Sequence, residues 1–292
     1  MNLIEIEIGT VEEKEKWKCE IDSILKNLGD YIKEFKISKV IVASNFDETV
    51  NRIQGTDNYQ AKRHSVEAQA IVINDIDGNN YIVISGNFWK TFDSYEIKSL
   101  FLLHEIYHVF NKLYLPTILN EFTSKSTYLF IVHYLYDEYA AVRFSVSCLI
   151  QNPNIHDIIR ILYDGSISEL QNPEIFYIPM KKVIFDFTSD KMTNKFNSKI
   201  YEYIEPIFKY VANIFAYCKC YPDLKDNFDN ITNKIFISED LFDIFNKFDC
   251  WYKRDKSIIY EDCLDLIENY LKKLGISYSD VDKGILITAW YI

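Results

Sequence analysis

The run Leu100-Phe-Leu-Leu-His-Glu-Ile-Tyr-His-Val-Phe110 constrains this chain more than any other segment. Wound as a helix it is apolar on almost every side. Ile97, Leu100, Phe101, Tyr107, Asn111 and Leu115 fall within about 60° of His104, and Leu102, Ile106, Val109 and Leu113 cover the opposite side. Such a helix has no face to offer to water and is expected at the centre of a packed domain. His104 and His108 share its one polar strip. Positions four apart on a helix lie about 40° from each other, so both imidazoles reach one ion. Glu105, beside the first histidine, is placed to take a proton from water. His104-Glu-Ile-Tyr-His108 therefore reads HExxH, two metal ligands and a base.

A catalytic zinc takes three protein ligands and keeps one position open. The later candidates for the third are His133, Asp137, Glu138 and His156. Around Glu138, the residues Ile131, Tyr134, Leu135, Val142, Ser145 and Leu149 lie within about 60° on a helical wheel. A carboxylate in the middle of an apolar stripe is costly unless it is paired or bound to a metal. Ala141 and Ser145 would let a second helix come close. His133 points about 140° away from Glu138, so the two do not suit one ion. Glu138 is the favoured ligand. Asp137 remains an alternative, and is otherwise placed to accept a histidine N–H. His133 also remains an alternative, with ordinary packing as its other reading. His156, after Asn-Pro-Asn, is expected to be exposed. Tyr107, Tyr134, Tyr136 and Tyr139 are candidate donors to a developing oxyanion, though each reads more simply as a packing residue.

The flanking elements follow from periodicity and breakers. Residues 11–35 form an amphipathic helix, with Trp17, Ile21, Ile24, Leu25, Leu28 and Ile32 on one side. Ile37 to Ser44 is a β-rich run. The polar stretch 45–67 has no clear period, and its Lys62-Arg63-His64 reads as surface loop. Segments 68–74 and 81–85 flank Asp75-Ile-Asp-Gly-Asn-Asn80, a hairpin signal. The strand at 81–85 is expected to offer an extended edge on which a peptide can lie. Asp93 and Glu96 make a capping box for a helix from Ser94 to about Leu113. Everything after Pro116 reads helical, most clearly at 119–150, 154–164, 195–218, 236–248 and 257–274, with Gly275 as a terminal cap. Asn152-Pro153 and Gln171-Asn-Pro173 are breaks.

Glycine (8) and proline (6) are scarce among 292 residues, which favours helix and short loops. The aromatic residues, 16% of the chain, are spread throughout and read as core. A net charge of −11 argues against a dominant nucleic-acid surface. The start, Met1-Asn-Leu-Ile-Glu-Ile-Glu-Ile8, lacks the basic and apolar regions of a signal peptide, and no apolar run approaches the ~18 residues of a membrane span. Six scattered cysteines, Cys19, Cys148, Cys218, Cys220, Cys250 and Cys263, read as reduced thiols of a cytoplasmic protein.

Three segments together resemble the ImmA/IrrE-type zinc metallopeptidases, within the gluzincin kind of zincin. They are the hairpin Asp77 to Ser85, the run Leu103 to His108, and Glu138-Tyr-Ala-Ala-Val-Arg-Phe-Ser145. The last is similar to the family's E-x-x-A-x-R-F-A pattern, whose glutamate binds zinc and falls on Glu138. The likeness covers residues 67–150. It implies zinc held by His104, His108 and Glu138, Glu105 as general base, and a protein substrate such as a repressor.

The expected fold is α+β. A small N-terminal β-sheet with the active-site helix and ligand helix occupies 1–153, and a mostly helical region of unassigned role occupies 154–292. The expected function is zinc-dependent hydrolysis of peptide bonds in a specific intracellular protein, with no nucleic acid or membrane partner. Two rivals are a zinc-binding regulatory or toxin/antitoxin-type module with little proteolysis, and a metal hydrolase acting on another bond. Glu105 favours an enzyme, since a purely structural site needs no base. A His2Glu set also accepts manganese, cobalt or iron.

Overall fold

The computed structural model describes residues 3–29, 36–63, 66–115, 123–190, 193–225, 238–254, 257–282 and 284–289. The fold is α+β. It divides into two compact units, Met1–Tyr114 with Phe144–Ile155, and Leu115–Arg143 with His156–Ile292.

The first unit opens with β1 (Ile4–Ile6), α1 (Val11–Asn27), β2 (Ile37–Ala43) and α2 (Phe46–Gln54). The small strands β3 (Lys62–Arg63) and β4 (Val66–Glu67) follow, then the hairpin β5 (Ala70–Asn74) and β6 (Asn80–Ser85). The short α3 (Gly86–Thr91) leads to α4 (Tyr95–Tyr114), the HExxH helix. The four-stranded sheet has the order β1-β2-β6-β5. β1–β2 and β2–β6 are parallel, and β6–β5 is antiparallel with Ile71 opposite Val83. Val40, Ile41, Val42 and Ala43 are all buried, the continuous apolar run expected of a strand covered on both faces.

The hairpin at Asp75–Asn80 forms as expected, with the Asp75 carboxylate accepting the Asp77 and Asn79 N–H groups. The strand at 81–85 is not an edge, however. β2 pairs along its other side, so β5 is the outer strand of the hairpin. Parallel pairing with a strand forty positions earlier leaves no local mark in the sequence.

Three local readings are also corrected. α1 begins with a complete capping box between Thr10 and Glu13, but ends at Asn27, where the Leu28 and Gly29 N–H groups turn back to Leu25 and Lys26. Ile32 and the rest of 30–35 lie outside the described residues, as do His64 and the segment 119–122. The stretch 45–67 contains α2, capped by Asn45, and a β-ladder. Only a narrow face carries apolar residues in a nine-residue helix, which hides its period. α4 is capped by Ser94 rather than Asp93: the Ser94 hydroxyl accepts the Ile97 N–H at 3.3 Å and donates to Glu96 at 2.9 Å.

One core joins these elements. Trp17, Ile21 and Ile24 of α1, Val40 and Val42 of β2, Ile82 and Ile84 of β6, and Leu102, Leu103, Ile106 and Val109 of α4 pack together. The Lys98 ammonium is buried within it, paired to Glu20 at 3.0 Å and set over the Trp89 ring. Gly86 lets the end of β6 turn closely under β2. A Cβ there would stand 2.5 Å from the Ala43 carbonyl oxygen and 2.6 Å from Ile8 Cγ2. Gly86→Ala is therefore expected to lower unfolding free energy by about 1–3 kcal/mol, measured by urea titration. An unchanged midpoint would contradict this close approach.

The helix α5 (Ser124–Leu149) passes from one unit to the other, with its last turns from Phe144 counted in the first. The second unit holds its earlier turns. Then come α6 (Ile155–Gln171), α7 (Tyr177–Asp190), α8 (Thr193–Cys220), α9 (Glu239–Tyr252) and α10 (Leu264–Lys273). Residues 236–237 lie outside the described residues. Leu274 and Gly275 close α10, with Gly275 at φ 79°. The reading of everything after Pro116 as helix fails at the end of the chain, where β7 (Ile276–Val281) and β8 (Gly284–Ala289) form an antiparallel hairpin. Six-residue strands are too short to outweigh a helical context in a reading by period. The Tyr128 hydroxyl of α5 fastens this hairpin, donating to the Tyr278 carbonyl at 2.9 Å and accepting its N–H at 3.1 Å.

Candidate metal centre

α4 is buried as its composition requires, and the burial extends to its polar residues. His104 is 9% and Glu105 7% exposed, and His108 is half-buried. The two imidazoles stand nearly perpendicular, 86° between planes, with their Nε2 atoms 3.0 Å apart. Two nitrogens about 2.1 Å from a common ion in tetrahedral geometry are separated by about 3.4 Å, so the observed spacing needs only a small adjustment. Nε2 is therefore the atom that each ring would offer to a shared ion.

Glu138 stands on α5, 7% exposed, among the buried residues Leu135, Ala141, Val142 and Ser145. His104, His108 and Glu138 each bring one ligand atom within 4.8 Å of the other two, and the group can hold a metal ion. It is the one set of three such side chains found among the described residues. Two imidazole nitrogens and a carboxylate oxygen form a donor set that suits zinc and its first-row neighbours.

The other sequence candidates are not members of this group. His133 lies edge-on to Tyr260, with ring centroids 5.5 Å apart. Asp137 is half-buried; after burial itself and Tyr136, its charge helps push the Tyr260 hydroxyl pKa up. His156 is partly rather than fully exposed, because its Nε2 meets the Asp223 carboxylate at 3.1 Å and its ring packs on Tyr221. The Tyr107 ring packs on Phe110 and Phe144. Tyr136 packs on Phe248 and Trp251. Tyr139 is fully buried, and its hydroxyl donates to Asp249 at 3.1 Å. Burial pushes its pKa far up. The Tyr139 hydroxyl is thus engaged by the Asp249 carboxylate. Tyr134 is half-buried.

Two further polar residues bear on this region, and the sequence reading gave neither a role. Asn111, 2% exposed, continues the His104 stripe one turn past His108. Lys209 of α8 places its Nζ 3.9 Å from Glu138 Oε2. Asn111 was visible on the helical wheel as a polar residue on the histidine side. Lys209 had no sequence signal, since its position depends on how α8 packs. No protein-family model, curated protein or solved structure matches this chain.

Among the described residues, no helix is long and apolar enough to cross a membrane. All six cysteines are free thiols.

Proposed function

We propose that this chain is a zinc-dependent metallopeptidase that hydrolyses peptide bonds in a specific intracellular protein, of the ImmA/IrrE kind. The observation that carries the proposal is the convergence of His104, His108 and Glu138, with Glu105 buried beside the first of them. His104 and His108 would hold zinc through Nε2, and Glu138 through a carboxylate oxygen. Zinc supplies a Lewis acid that polarises a carbonyl and lowers the pKa of water. Glu105 then takes the proton of the attacking water and passes it to the leaving amine, so a single carboxylate serves both halves of the proton transfer. The buried setting of Glu105 keeps bulk water from competing for that proton.

The test is made in cells. Wild type and Glu105→Ala are expressed in the host, and protein N-termini are compared by mass spectrometry. A small set of new N-termini should appear only with the wild type. If none depends on Glu105, peptide hydrolysis is ruled out, and the readings as a binding module or as a hydrolase of another bond take its place.

A further inference from the structure

We propose that Lys209 is a further catalytic residue of this site, its ammonium holding the acyl oxygen of the substrate as negative charge builds on it. The inference rests on the metallopeptidase reading above. Its starting point is the Lys209 ammonium 3.9 Å from Glu138 Oε2, on a side chain 48% exposed.

A supporting role for Lys209 does not explain this placement. α8 is anchored by Ile204, Ile207, Phe208, Val211 and Ala212, all buried, and does not need a half-exposed lysine for its position. An ion pair with one partner half in water adds little to stability. Nor does a lysine help a carboxylate bind a divalent cation. The ammonium and the metal ion repel each other across Glu138, and both compete for its charge.

A cation at that point is useful for an anion. Acyl transfer moves negative charge onto the carbonyl oxygen, and donors prepared for it supply a large share of the rate. Once Glu105 has taken the proton of the water, the negative charge lies on the acyl oxygen, and a cation beside Glu138 favours that shift of charge. Of the tyrosines that could have served instead, Tyr139 has its hydroxyl on Asp249, and the rings of Tyr136 and Tyr107 pack on Phe248 and Trp251 and on Phe110 and Phe144; Tyr134 is half-buried. The long, half-exposed lysine stem gives the ammonium the reach to follow the oxygen.

The test uses the full chain as wild type, Lys209→Met and Lys209→Arg. Zinc affinity is measured by competition with a chromophoric chelator. Binding of methylphosphonate, a tetrahedral anion, to the zinc-loaded proteins is then measured by calorimetry. Lys209→Met should bind zinc as tightly as the wild type or several-fold tighter, and methylphosphonate about tenfold more weakly, with Lys209→Arg recovering most of the loss. Turnover of the peptides whose cleavage depends on Glu105 should fall about 10²–10³-fold in Lys209→Met, chiefly in kcat. Equal methylphosphonate binding by wild type and Lys209→Met, absent binding included, overturns the inference while leaving the metal site intact. A fall in zinc affinity of about tenfold or more also overturns it, and makes Lys209 a support for Glu138. A wild type that takes up no zinc removes the metal-site reading and this inference together.

Discussion

Glu138→Ala is expected to lower zinc affinity by more than the about 10–100-fold that loss of a supporting group typically costs. It removes the only oxygen ligand of the His104, His108 and Glu138 set. The metal-free protein should nevertheless stay folded. Glu138 is 7% exposed, and a carboxylate buried without its ion is a cost to the fold rather than a support. The melting temperature of the metal-free variant is thus expected to equal or exceed that of metal-free wild type. Zinc should stabilise the wild type by about 4 kcal/mol at a free concentration a thousand times its Kd, and at that same concentration the gain should fall to about 1.4 kcal/mol or less in the variant. Glu105→Gln should behave in the opposite way. It keeps zinc uptake and loses about 10²–10⁴-fold in turnover, the usual contribution of a general base. The two variants separate holding the ion from using it. If Glu138→Ala binds zinc with wild-type stoichiometry and affinity, the third ligand is a different residue.

The site was legible to the extent that local geometry encodes it. His104 and His108 are related by helical spacing alone, and their Nε2 atoms do converge. Glu138 could be picked out because a carboxylate in an apolar stripe calls for a partner. What surrounds the group was not legible. Lys209 reaches Glu138 only through the packing of α8, and the Tyr139 hydroxyl goes to Asp249 because α9 lies there. The same division runs through the fold. The hairpin at 70–85 and the cap at Gly275 follow from a few adjacent residues. Which strand lies outermost depends on β2 pairing with β6 over a long separation, and α2 and β7–β8 are too short to show a period.

Asp249→Ala is expected to cost about 3–5 kcal/mol of unfolding free energy at pH 7, as loss of one partner from a buried ion pair does. Asp249, on α9, is 8% exposed and contacts α5. Its carboxylate meets Arg143 Nη1 at 3.3 Å, Lys253 Nζ at 2.7 Å and the Tyr139 hydroxyl at 3.1 Å. Arg143 is itself 8% exposed, so deleting its partner leaves a cation and a tyrosine hydroxyl buried without their acceptor. Replacing both charges, as in Arg143→Met with Asp249→Leu, should be less damaging than Asp249→Ala alone, because no buried charge is then stranded. The pH dependence has a definite sign. Burial raises the Asp249 pKa, but the hydrogen bond from Lys253 and the charges of Arg143, Lys253 and Lys219 outweigh it and hold the carboxyl below its usual range. Its contribution is therefore fully present above the unfolded value of about 3.9 and is lost as pH falls through the lower folded value. Urea titrations of the wild type and Asp249→Ala should show a constant gap from pH 7 down to about pH 4, and a narrowing gap below it. A gap that is small at pH 7, or that widens in acid, would mean that Asp249 does not fasten α5 to α9 through its charge. Glu138 shares α5 with Arg143 and Tyr139, so zinc affinity in Asp249→Ala should fall along with stability, by the about 10–100-fold of a positioning residue.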